Sequence, residues 1–173
     1  MSELIPSLVF VGVMLVAAAT DIHTHRIPNR LIVAGLVLGL VTRALLGWAA
    51  LGSGLLAASG AMLLGILLFS LGAMGAGDGK LMAVVGAFMG VETTLAALFV
   101  AAVVGGVLAI LLAIRRGVVL PVLMNTKDLG IWLATLGRKG ERVKLDSPGA
   151  VAFPFGVAIA IGSLATWFGL VQL

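Results

Sequence analysis

Long apolar runs broken by short polar clusters set the plan of this chain. Six runs can be drawn, at roughly 4–20, 31–47, 55–73, 81–91, 94–114 and 150–170. A helix needs about 20 apolar residues to cross the bilayer core, so runs of this length read as membrane-spanning helices. A transmembrane β-barrel would alternate apolar and polar positions, and that alternation does not appear. The pattern predicts an all-α, polytopic helical membrane protein with about six transmembrane helices in a single membrane-embedded domain over 1–173. The fourth run is the shortest. It either extends back through the preceding GAGDGK cluster or forms a re-entrant segment. The leading MSE carries an acid and no base, so the first run reads as a span and not as a cleavable signal.

The polar clusters orient these spans. With six spans and the N-terminus outside, the inner loops hold Arg26, Arg30, Lys80, Arg115, Arg116, Lys127, Arg138, Lys139, Arg142 and Lys144, and the outer loops hold only Arg43. That asymmetry is a strong positive-inside bias, and it requires the fourth run to cross. The polar loops that carry Asp21 and Asp78, at 21–30 and 75–80, then both fall on the cytoplasmic side. The longest polar stretch, 115–149, places Leu129, Trp132, Leu133 and Leu136 on one helical face. Asn125 and Asp128 resemble a capping box, and Gly137 supplies a stop. This stretch suits a helix lying on an anionic leaflet, and equally a basic connector.

Composition sharpens the picture. The chain is 61% hydrophobic and 10% charged, with mean hydropathy +1.24, and it has no cysteine. Disulfides, thiolate catalysis and cysteine-based metal sites are excluded. A pI near 10.4 could point to nucleic acid, but the basic residues sit in loops between spans, where topology explains them. Only seven residues are acidic. Acids at a membrane edge are costly and are more often functional, which singles out Asp21 and Asp78. Each has a plainer reading. Asp21 could be an interfacial stop beside His23, His25 and Arg26, and Asp78 could cap a glycine-rich turn formed by Gly75, Gly77 and Gly79. Together they say more, because two carboxylates sharing a site cannot both ionise cheaply. One keeps a proton while the other acts as a base. Such a pair can activate water for peptide hydrolysis without metal, cofactor or covalent intermediate. The serines lie in apolar context without an adjacent base. Two carboxylates without further ligands make a poor metal site. Pro28 marks a turn, and Asn29 is placed to cap the second span. A small proton- or cation-coupled carrier using the same acids is the alternative reading. It would more often show inverted repeats and acids near mid-membrane.

Gly75-Ala76-Gly77-Asp78, read with Asp21 in D-x-H-x-H-R-I-P-N, resembles the G-x-G-D signature and first aspartate of the type IV prepilin peptidase family. Arg26, Ile27, Pro28 and Asn29 match the tail of that family's first loop, and Lys80 closes the second. Pro154-Phe155-Gly156 matches its C-terminal proline-containing element. The resemblance implies a multi-pass enzyme of the cytoplasmic (inner) membrane that removes the leader of prepilins just before their hydrophobic helix. Asp21 and Asp78 would be catalytic, and the protein's partners would be the prepilin substrate and membrane lipids, with no nucleic acid. Larger members carry a domain with paired cysteines and also N-methylate the product; the sequence gives methylation no support. The short length and loop pattern are most like the tight-adherence (Flp) pilus peptidases.

Overall fold

A computed structural model describes residues 4–118 and 154–171. Among these residues there are six helices and no strand: α1 (Leu4–Thr24), α2 (Asn29–Leu45), α3 (Trp48–Ser70), α4 (Ala76–Met89), α5 (Val91–Arg116) and α6 (Phe155–Trp167). α1, α3 and α5 are long and apolar enough to cross a membrane. They leave large apolar side chains outward, among them Leu8, Leu15, Leu56, Leu63 and Phe99. Contiguous apolar surface of this extent needs an apolar solvent or partner. In a chain this hydrophobic, lipid supplies it.

The chain forms two compact units, one of Met1–Gly105 with Pro154–Leu173 and one of Gly106–Phe153. Of the second unit, residues 106–118 are described. They comprise the last turns of α5, with Arg115 and Arg116 at its end, and a turn at Gly117 (φ +68°).

The first unit is organised around α4. From Leu81 to Met89 every residue of this short helix is buried, as expected of a helix that is apolar on all sides. It packs against α2, α3 and α6, and α1 packs against α2 and α6. Small residues allow this. A Cβ on Gly79 would stand 2.8 Å from the Gly65 Cα, and one on Gly86 would stand 2.6 Å from the Ala57 carbonyl carbon, so α3 and α4 touch backbone to backbone. The G-x-x-x-G pairs Gly35/Gly39 and Gly86/Gly90 pack within the chain, with Gly35 against Val84 and Gly39 against Phe88. Phe10 joins Phe88 and Trp167 at ring-centroid distances of 5.0 and 4.7 Å, tying α1 to α4 and α6.

The helix bounds depart from the apolar runs, most of all at the start of α3 and α4, whereas α6 lies within its run. α1 continues through Asp21 to Thr24, so this aspartate sits in a last helical turn and not in a loop. α3 starts at Trp48, and α4 reaches back to Ala76, through the GAGDGK cluster. Hydropathy marks where lipid contact ends, whereas the i→i−4 ladder continues through any residue that keeps helical dihedrals. Asn29 does not cap α2. Pro28 holds the cap position, no side chain bonds there, and Asn29 instead faces α4. The amphipathic face at 129–136 lies outside the described residues.

Candidate active site

Three chain segments meet at one end of the first unit. The first is the close of α1 and the turn after it. Asp21 is 5% exposed. Its carbonyl accepts the amide of His25 (2.9 Å), which adopts a left-handed φ of +48° and turns the chain out of the helix. Arg26 is exposed, Ile27 is buried, and Pro28, with φ −62°, starts α2. The second segment is the start of α4, where Gly75 holds the cap position and Asp78 lies in the first turn, ahead of the buried apolar stretch. The third is Pro154 and the start of α6, where Gly156 is buried.

Gly156 joins these segments. Its amide donates to Asp21 Oδ2 at 2.9 Å, a buried bond across 135 residues of sequence. The same amide, with that of Gly75, reaches the carboxyl of Asp78. The side chain of Ile27 fills the space between the loops: a Cβ on Gly156 would meet it at 3.2 Å and one on Gly77 at 3.6 Å. Lys80 Nζ donates to Asn29 Oδ1 at 2.8 Å, pinning the α2 start to the α4 start on the exposed side.

The electrostatics follow from this packing. Burial pushes the Asp78 carboxyl up to about 6, and the nearby charge of Asp21 pushes the same way. The amides of Gly75 and Gly156 pull against that rise. A carboxyl that holds its proton up to about pH 6, beside a second carboxylate, suits acid–base hydrolysis. His23 and His25 are exposed, and among the described residues no three His, Asp or Glu side chains gather into a metal-binding cluster.

Asp21, Asp78, Gly75 and Gly156 therefore lie together. Gly77, Pro28 and Pro154 shape the segments that carry them, while Arg26, Asn29 and Lys80 form the outer rim. Gly79 belongs to the helix packing, because its face meets Gly65. Ile27 was readable only as part of the Arg26–Asn29 motif and not as a site residue; the structure buries it among exposed neighbours, between the loops that carry the aspartates.

The residues that meet here fall largely within a stretch with known counterparts. The family model described as the type IV leader peptidase family matches residues 8–110. A prepilin leader peptidase/N-methyltransferase of Bacillus subtilis (strain 168) is 36% identical over 105 residues, covering 60% of this chain and 42% of that protein. One of the same name from Myxococcus xanthus (strain DK1622) is 32% identical over 133 residues, covering 73% and 40%. The chain thus aligns with well under half the length of the curated relatives it matches. No solved structure matches it. With Asp21 and Asp78 both inside a family match that covers more than half of its residues, the chain belongs to the type IV leader peptidase family.

Proposed function

We propose that this chain is an aspartic endopeptidase that removes the leader of type IV prepilin-like substrates, with Asp21 and Asp78 as its catalytic pair. One observation carries the reading. A single buried amide, that of Gly156, bonds to Asp21 and also reaches Asp78, while the charge of Asp21 acts on Asp78. Family membership and the printed names of the relatives supply the substrate class.

In the mechanism Asp78 carries the proton and Asp21 the charge. Asp21 takes a proton from a water held between the two carboxyls, and the oxygen of that water bonds to the scissile carbonyl carbon. Asp78 gives its proton to the carbonyl oxygen, which stabilises the tetrahedral intermediate. As the C–N bond breaks, Asp21 returns its proton to the leaving amine. Asp78 recovers one from the intermediate's hydroxyl, which restores the singly protonated pair. The Gly156 amide holds Asp21 in place throughout.

The positive-inside bias supports an orientation of this multi-pass chain in the inner membrane with the N-terminus outside and both aspartates at the cytoplasmic face. The substrate's basic leader then lies in water and its hydrophobic helix in lipid, with the cleaved bond at the boundary. The proposal is confined to leader cleavage and does not extend to N-methylation.

The test is cleavage of a prepilin by the purified full chain. Asp21→Asn and Asp78→Asn should each reduce it on the order of 10³-fold, the scale of general acid–base contributions, with melting temperatures near wild type. Wild-type cleavage by either variant sinks the proposal.

A further inference from the structure

The end of the first unit remote from the aspartates holds a second polar pocket. Arg43 lies fourteen residues beyond Asn29 in α2, and at 1.5 Å per residue it stands about 21 Å from the α2 start. α4 runs the same way to Phe88, α1 begins at this end near Ser7, and α6 finishes here at Trp167. A cavity of about 400 Å³ opens between them, lined by Ser7, Arg43, Leu46, Phe88, Thr93 and Trp167 among others.

Arg43 is half-buried at this cavity. Its Nε donates to the Phe88 carbonyl at 2.9 Å, near the end of α4. That uses one of five guanidinium N–H donors. Among the described residues no carboxylate pairs with it. Trp167 Nε1 donates to Ser7 Oγ at 3.1 Å and fixes the opposite wall. Thr93 lies in the first turn of α5, where the helix dipole adds positive potential. Glu92 shares that turn but is exposed and does not line the cavity. Leu46 lines the pocket with Arg43, and Leu45 and Trp48, close to it in the chain between α2 and α3, are 83% and 88% exposed, so apolar surface continues outward from the cavity.

We propose that this pocket binds the phosphate headgroup of an anionic glycerophospholipid, whose acyl chains lie along Leu45, Leu46 and Trp48. A guanidinium with spare donors presents a fork that matches phosphate oxygens. A half-buried cation is costly without a counter-charge. An apolar shelf ending in a tryptophan is the surface expected at a membrane–water boundary. A lipid answers both the charge and the shelf, whereas free phosphate answers only the charge. The inference does not depend on the chemistry of the aspartates.

The experiment is native mass spectrometry of the detergent-solubilised full chain with phosphatidylglycerol, phosphatidylcholine or inorganic phosphate. Phosphatidylglycerol should be retained in preference to phosphatidylcholine, and inorganic phosphate should not displace it. Arg43→Gln should weaken retention about tenfold, the scale of one lost hydrogen bond to a charged group. That variant also frees the Phe88 carbonyl, so Thr93→Phe provides an independent arm. It fills the cavity, leaves the Arg43–Phe88 bond in place, and should weaken retention to a similar degree. Undiminished phosphatidylglycerol binding by both variants overturns the proposal. So does equal retention of phosphatidylcholine, or displacement of the lipid by inorganic phosphate.

Discussion

A buried amide between two carboxyls fixes what single-residue changes should do. A Cβ on Gly156 would stand 2.7 Å from Asp21 Oδ2, closer than real contacts allow. Gly156→Ala should push the carboxyl aside and reduce cleavage on the order of 100-fold, as expected for a displacement near 1 Å. The melting temperature should fall too, because the added carbon also meets Ile27 at the buried junction of the three segments. The Asp78 carboxyl, raised to about 6, gives a pH prediction. Its proton is held below that value and lost above it, so kcat/KM should fall as pH rises through about 6. A pH–rate profile on prepilin should show that alkaline limb as a property of the pair. A profile flat to pH 9 contradicts the assigned proton. The two acids were legible in the sequence because charge is rare in an apolar chain. The Gly156 amide was legible only as part of a motif, since a bond across 135 residues leaves no local pattern.

At the scale of helices, the site depends on how close α3 and α4 come. Gly79 meets Gly65 backbone to backbone, so Gly79→Ala forces the two helices apart. It should cost about 1–3 kcal/mol, the usual range for overpacking, read as a lower thermal midpoint. Cleavage should fall with it, because Asp78 is one residue away. The Lys80–Asn29 bond is exposed, and Lys80→Ala should change stability by less than about 1 kcal/mol. The presence of each helix could be read from its apolar run. Its ends could not, because polar residues such as Asp21 and Thr24 continue a helix as readily as they end a hydrophobic stretch. α4 shows why the shortest run was ambiguous. It is enclosed by protein on all sides, and burial by neighbours looks the same in sequence as burial by lipid.

Across the whole molecule, the expectation is an orientation. The chain lacks cysteine, so single cysteines can be introduced without background. Residues 24, 49 and 73 are exposed beside the ends of α1, α3 and α3, respectively. In intact cells, Ala49→Cys should react with a membrane-impermeant thiol reagent, while Thr24→Cys and Ala73→Cys should react only after permeabilisation. Labelling of all three from one side contradicts the topology. The expected orientation rests on charge bias, whereas nothing local in the sequence announced that Pro154-Phe155-Gly156 returns to meet residue 21.

The central claim is that Asp21 and Asp78 act as one unit. It is tested most directly by prepilin cleavage rates for Asp21→Asn, Asp78→Asn and the double variant, measured in parallel. Groups that work together are grossly non-additive. The double variant should therefore be no slower than either single one, with each reduced on the order of 10³-fold. Losses that multiply in the double variant, or a single variant that cleaves at the wild-type rate, would contradict the paired mechanism.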